Sequence, residues 1–440
     1  MSNDRAMKYA QVLSNLIKCQ TISAVGQTDL SKFYNFHEVL KQQFPNLFNA
    51  VTFEDVDGSL LLYWKGTDPN LEPVLLMNHF DVVEASGKWT HEPFSGDIAD
   101  GCVWGRGTLD TKGGLAMMLQ AADELAAEGF TPKRDTYFVS TCTEETTGDG
   151  GNKISSMLAE RGIRFYMVLD EGGMILYDPI GGAKGTFAMI GVGEKGYVDL
   201  KFTARSTGGH ASTPGKNTPL ARLSKFIIEA DKAKVFETKM SPTVAQMLSR
   251  FAPTMSGVMK MACGNVKLFK PLLTKVMPMI SSSATALLRT TLACTMAKGS
   301  DGANVLPQEA WVVGNMRYSH HQGRDASIKA ITDLAAKYDI ETTVLKDGGE
   351  SNLTDFNGEQ FKFMEKAVST VFPEFKPVPY IMNGASDSRY FARVCDNCVR
   401  FVPFDINQQQ YGSVHGIDEN VSIDCLPAAV DFYRYFIREV

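Results

Sequence analysis

The feature that most limits how this chain can fold is a short apolar run, Val74-Leu75-Leu76-Met77, which ends in Asn78-His79-Phe80-Asp81. An unbroken apolar run with no polar alternation predicts a strand covered on both faces. Such strands belong to sheets flanked by helices, and functional groups collect where they end. Further along, Gly105-Arg106-Gly107 delivers Asp110, and Lys112-Gly113-Gly114 opens a long apolar segment. His79 and Asp110 are therefore predicted to meet in one crevice. A histidine with a carboxylate two residues on, here Asp81, also suits metal chemistry. The carboxylate accepts the far ring N–H, fixes the tautomer and raises ligand basicity.

The same alternation of strand and helix runs through the first part of the chain. Apolar spacing of three and four predicts helices over 5–23, 30–44, 112–128 and 153–161. Buried strands are predicted at 74–77 and 165–169 and an alternating strand at 135–142, and Asp57-Gly58 predicts a hairpin turn between 51–53 and 59–64. This is an α/β domain with a largely parallel sheet. At about residue 193 the pattern changes. Residues 197–204 alternate cleanly, followed by a helix at 219–232, a strand at 311–318, a helix at 326–338 and a strand at 341–345. We read 1–192 and 348–440 as two parts of one catalytic domain and 193–347 as an inserted α+β domain. Residues 233–292 exceed what such an insert needs and hold seven methionines, from Met240 to Met279. They are expected to form extra helices packing on the insert, or an adaptable apolar surface for a greasy substrate tail.

A chain of 440 residues exceeds one ordinary core, which agrees with two domains. Its net charge of −6 gives no basic face for nucleic acid. No apolar run reaches the roughly 18 residues of a membrane helix. The first 23 residues show no basic start followed by an apolar core, so no signal peptide is expected. Eight cysteines are scattered, with one CxxC at Cys395 and Cys398, half of a zinc site at most. Such usage fits a reducing, cytoplasmic setting.

Polar groups at strand ends form a constellation: His79, Asp81, Asp110, Glu144, Glu145 and Asp170, joined later by the glycine-flanked His210 and His415. Mixed histidine and carboxylate donors suit zinc, manganese or cobalt better than calcium. Glu144 and Glu145 are neighbours at a strand end and point opposite ways, so one can hold metal while the other faces a reacting water. Gly209 to Asn217 has the wrong spacing for a phosphate loop, and His320-His321 reads as a solvated turn.

Assembled in order, these motifs resemble the M20 family of zinc aminoacylases and carboxypeptidases from about residue 5 to 440. The matching stretches are HFD at 79–81, GRGTLDTKGG at 105–114, TEET at 143–146, LDEGG at 169–173, GGHASTP at 208–214 and VHGIDE at 414–419. The methionine-rich stretch and LLRTTLACT at 287–295 look most like the carboxypeptidase S branch, which includes Gly-X carboxypeptidases and hydrolases of N-fatty-acyl amino acids. The resemblance implies a zinc-exopeptidase-like catalytic domain with an inserted lid and dimerisation domain. It implies two Zn2+ ions per chain, replaceable by Co2+ or Mn2+. Asp110 bridges them, His79 and Asp170 complete one site, and Glu145 and His415 the other. Asp81 orients His79, Glu144 is the general base, and His210 stabilises the oxyanion from a partner's lid in a homodimer. Arg317 grips the substrate carboxylate, with Asn304 nearby, and Asp387 and Arg389 lie in a loop beside the site. That loop reads Gly-Ala-Ser-Asp-Ser-Arg where the family more often has Gly-Gly-Thr-Asp-Ser-Arg. The peptide after Asp110 is expected to be cis. The implied activity is cleavage of an amide next to a C-terminal amino acid. A desuccinylase or acyl-polyamine hydrolase is the alternative within the class. A catalytically dead binding module is the alternative outside it, and it would lack ligands that are all present here.

Overall fold

The computed structural model describes residues 2–232, 235–349 and 351–440. The apolar run at 74–77 lies in the strand Val74–His79, every residue of which is buried. It pairs in parallel with Thr136–Thr141 on one side and Met167–Asp170 on the other. These three central strands end together, at His79, at Thr141 just before Glu144-Glu145, and at Asp170. A ten-stranded mixed sheet extends from them to the hairpin Thr52–Val56/Ser59–Trp64 at one edge. The turn of that hairpin is Asp57-Gly58, both with positive φ, as a two-residue type I′ turn requires.

Helix Lys112–Ala127 packs against the sheet beside helices Ser2–Ile17 and Leu426–Glu439. Its first turn comes very close to the strand. A Cβ on Gly113 would lie 2.1 Å from the Thr108 carbonyl, and one on Gly114 2.7 Å from Asn78 Oδ1. That close approach explains the Gly-Gly pair. Lys112 is buried, and burial lowers its pKa to about 8. Its Nζ donates to the carbonyls of Leu16 and Cys19, tying the end of the first helix to the Asp110 loop. The Asp110–Thr111 peptide is cis, as the family resemblance implied.

A second, four-stranded antiparallel sheet runs in the order Thr291–Lys298, Glu309–Tyr318, Gly196–Arg205, Glu341–Asp347. Helices Pro219–Lys232 and Arg324–Ala336 contribute Leu223, Phe226 and Ile331 to the core behind it. The strand Thr186–Glu194 belongs to the large sheet, so the passage into the second one lies at Lys195.

The methionine-rich helices depart from the expectation that they pack on the insert. Met240, Val244, Met247 and Phe251 form one core with Phe187, Met189 and Val378 of the large sheet. Phe187 and Phe251 meet edge to face at 4.8 Å. The physical reason is the apolar face of strands Thr186–Glu194 and Lys376–Met382, which these helices cover. His320 and His321 are also not a solvated turn. Both are half-buried, His320 Nε2 lying 3.0 Å from the Ser351 carbonyl and His321 Nε2 3.1 Å from that of Glu237.

One buried carboxylate joins the chain's end to its functional loop. Glu419 Oε2 accepts from Arg106 Nη1 at 2.6 Å and from the Gly107 amide at 3.1 Å. Its Oε1 accepts from the amides of Leu109 at 2.8 Å and Asp110 at 3.1 Å. Glu419→Gln removes the charge opposite a buried guanidinium. It should destabilise the protein by about 3–5 kcal/mol, read as a lowered denaturant midpoint. Glu54→Gln, which breaks an exposed pair with Arg161, is the control and should change stability by less than about 1 kcal/mol.

Candidate active site

The loop held by Glu419 sets Asp110 between two imidazoles. His79 Nε2 lies 2.9 Å from Asp110 Oδ1, and His415 Nε2 lies 3.0 Å from Asp110 Oδ2. His415 Nε2 is also 3.1 Å from Glu145 Oε2. His415 has φ +60°, a left-handed conformation that turns the chain sharply before Gly416. Each oxygen of one carboxylate thus faces a different histidine. Donor atoms of His79, Asp110 and Glu145 all fall within 4.8 Å of one another.

The electrostatics favour a cation at this place. Burial works against ionising Asp110, but hydrogen bonds from His415 and His79 hold its carboxyl well below the usual range. His415 is pushed up to about 10, chiefly by its hydrogen bonds to Asp110 and Glu145. Burial raises Glu144 well above its ordinary value; His79 opposes this, while Asp387, Glu145 and Asp110 push it further. Burial likewise raises Glu145, Asp170 and Glu171. Several carboxyls crowded out of water, with two imidazoles among them, are a donor set that a divalent cation neutralises.

Asp81 serves a wider purpose than orienting His79. The nearest acceptor for His79 Nδ1 is the Asp81 backbone carbonyl at 2.9 Å; the carboxylate stands at 3.4 Å. That carboxylate accepts from the Glu144 amide at 3.2 Å, the Glu145 amide at 3.1 Å and Ser23 Oγ at 2.7 Å. It fixes the turn that carries both glutamates.

Asp170 stands outside the closest group, with Oδ2 accepting the Ser388 amide at 2.9 Å. Asp387, expected beside the substrate, is buried and accepts from Thr141 Oγ1 at 2.6 Å. Through Oδ2 it ties the 383–389 loop to a central strand, its Oδ1 is buried without a hydrogen-bond partner, and the residue does not line the cavity.

A cavity of about 800 Å3 opens from the cluster, lined at one end by Asp110, Glu144, Glu145, Glu171 and His415. Arg317 and Arg389 also line it. Arg317 Nε donates to Asn315 Oδ1 at 3.0 Å, its guanidinium lies 4.9 Å over the Tyr197 ring, and its Nη1 is buried without a partner. Lys346 Nζ sits 5.6 Å from the same ring. Apolar side chains of Met174, Leu176, Ile180, Met189, Met247 and Leu287 complete much of the lining. His210 and Asn304 do not reach this cavity within their own chain. Both are exposed, on the hairpin of Gly209–His210 with Val305–Leu306, where the Ala211 amide donates to the Asn304 carbonyl.

Glu171, Tyr197, Lys346 and Glu419 were not singled out from the sequence. Glu171 and Glu419 do lie inside the motifs at 169–173 and 414–419. Tyr197 and Lys346 look like ordinary strand residues, and only the cavity distinguishes them.

Comparison with known proteins agrees with this geometry. The model of peptidase family M20/M25/M40 matches residues 75–439. The chain is 31% identical over 450 residues to the probable carboxypeptidase S-like 2 of Dictyostelium discoideum, covering 98% of this chain and 85% of that one. It is 30% identical to the N-fatty-acyl-amino acid synthase/hydrolase PM20D1 of Bos taurus, covering 99% and 88%. A solved M20 family metallo-carboxypeptidase, Sso-CP2 from Sulfolobus solfataricus, shares the fold with a TM-score of 0.70 at 17% identity, covering 98% of each chain. The family match spans most of the chain, and His79, Asp110 and Glu145 form a group able to hold a divalent metal: the chain belongs to peptidase family M20/M25/M40 and is a hydrolase of that metallopeptidase family.

Proposed function

We propose that the protein hydrolyses the amide bond of N-acyl amino acids, with two zinc ions per chain. The observation that carries this reading is the lining of one cavity: the carboxylates of Asp110, Glu144, Glu145 and Glu171 with the His415 imidazole, the Arg317 guanidinium with a buried Nη1 free of a partner, and apolar methionine, leucine and isoleucine side chains. His79, Asp170 and Asp110 would hold one ion and Asp110, Glu145 and His415 the other; cobalt or manganese suit the same donors. A bound metal pair polarises the amide carbonyl and makes water acidic enough to react near neutral pH.

The remaining steps belong to the chain. Arg317 pairs with the substrate's α-carboxylate, which a guanidinium binds bidentately, and Arg389 adds positive charge. The acyl chain lies along Met247 and Leu287. Glu144 removes a proton from water, and the hydroxide adds to the carbonyl carbon. When the C–N bond breaks, Glu144 returns that proton to the leaving nitrogen, giving a carboxylate and a free amino acid. His210 and Asn304 are exposed and outside their own cavity, which supports a homodimer in which each site borrows them from the partner's lid. The eight free cysteines support a reducing compartment such as the cytoplasm. The match to a probable carboxypeptidase S-like protein supports a second reading, carboxypeptidase cleavage of a peptide, for which Gly-X dipeptides are the test substrates.

A substrate panel separates the two readings. kcat/KM should rise with acyl chain length on one amino acid and stay low on Gly-X dipeptides. Leu287→Trp, which fills the apolar end, should shorten the preferred chain. A flat response to chain length would overturn the N-acyl reading.

Glu144→Gln should keep the metal content of the wild type while kcat falls at least about 10²-fold. Glu145→Gln should lose metal. The reverse pattern in metal analysis would exchange the two roles.

His210→Ala should keep its metal and lose about 10²–10³ in rate. Mixing it with Glu144→Gln under subunit exchange places an intact Glu144 and an intact partner His210 in one site of each mixed dimer. Equal random mixing should restore roughly a quarter of wild-type activity. No recovery despite proven exchange would exclude sharing of the histidine.

A further inference from the structure

One stretch of this acidic chain has a charge of the opposite sign. Between Glu237 and Asp301 there is no aspartate or glutamate, while Lys239, Arg250, Lys260, Lys267, Lys270, Lys275, Arg289 and Lys298 all fall there. Arg250 is committed to Glu365. Lys260, Lys267, Lys270 and Lys275 form no ion pair among the described residues, and all but the half-buried Lys270 are exposed.

The same stretch leaves apolar side chains in solvent. Helix Val266–Val276 buries Val266 and Leu273 against the core described above, with Phe269 packed partly against it. That stripe is enough to hold the helix in place. Yet Leu268, Leu272 and Val276, spaced every four residues, form a second apolar stripe on the outside. Leu268 is 75% exposed. Val258 at 73%, Met279 at 81% and Ile280 at 63% extend it onto helix Gly257–Gly264 and the turn Met277–Met279. A stretch that exposes this many apolar side chains among lysines, with no acidic residue of its own, marks an interaction site.

The position of the patch narrows its partner. Ser283, three residues after Ile280, is exposed and also part of the cavity wall, so the cavity reaches the surface at the edge of the patch. No helix of the described residues is long and apolar enough to cross a membrane. We propose that helices Gly257–Gly264 and Val266–Val276, with the turn after them, form a docking face for an anionic lipid surface. Leu268, Leu272, Met279 and Ile280 enter the headgroup layer, and the four lysines lie among lipid phosphates. The cavity mouth then faces the bilayer in which an amphiphilic substrate dissolves. That last use rests on the N-acyl reading; the docking itself does not.

Co-sedimentation of the full-length protein with vesicles tests the docking without turnover. One set is phosphatidylcholine alone; the other contains one part phosphatidylglycerol to two of phosphatidylcholine. The protein should sediment with the anionic set, and less so as salt rises above about 0.1 M. Lys267→Glu/Lys275→Glu should weaken partitioning by about fivefold or more per lysine. Leu268→Ser/Leu272→Ser should weaken it at least about tenfold. An unfolding midpoint equal to that of the wild type shows that both variants fold. Absence of wild-type binding, or equal binding to both vesicle sets, overturns the proposal. So does a loss of self-association in the leucine variant with vesicle binding intact, which would assign the patch to a second copy of the chain. Because no substrate is present, failure of the N-acyl reading in the chain-length panel leaves this result standing.

Discussion

Four donors on one buried carboxylate hold the active centre together. Glu419 accepts from Arg106 and from the amides of Gly107, Leu109 and Asp110. A loop can carry an exposed run of amides only if something accepts from them, and here the acceptor arrives from more than 300 residues away. Burial raises the carboxyl of Glu419, and the guanidinium of Arg106 and the amides oppose that shift. The carboxylate is fully buried, and each of its oxygens accepts two donors. It fixes the loop backbone, and the loop sets Asp110 between the two histidines.

Asp81 repeats the device on the other side of the centre. Its carboxylate accepts the consecutive amides of Glu144 and Glu145, so the strand-end turn has one conformation. The two glutamates then diverge because neighbouring residues at a strand end face opposite ways. Both devices spend an ionised side chain on backbone amides. The reacting groups are thereby held by structure buried behind them, which leaves their own oxygens for metal or water.

Much of this was legible in the sequence, for a physical reason. His79, Glu144-Glu145 and Asp170 each follow an apolar strand, so a local pattern marked both the element and the group it delivers. The cis peptide after Asp110 came with the family resemblance. What stayed hidden depends on contacts between distant segments. Nothing near Asp387 shows that it is buried against Thr141 of a central strand. The methionine-rich helices carry an apolar face, but periodicity cannot say which sheet will cover it. The face went to strands Thr186–Glu194 and Lys376–Met382, whose own apolar side had no other cover.

That placement has a consequence for recognition on the proposed reading. Met247 and Leu287, at the apolar end of the cavity, are anchored through their helices to the same sheet that carries His79 and Asp170. The distance from acyl wall to reacting centre is thus a property of one packed body. Arg317, by contrast, lies on a strand of the second sheet and is oriented by Asn315 and Tyr197 of that sheet. Tail and carboxylate are read by different sheets, joined at Glu194-Lys195. Glu194 is pinned there by the buried Arg400 and by the Ser386 amide, and Lys195 by the carbonyls of Ala286 and Arg289. The Ala286 and Arg289 carbonyls belong to the end of the helix that carries Leu287. The joint between the sheets is therefore bonded directly to the acyl wall, so the position of the tail and the position of the carboxylate grip are mechanically linked.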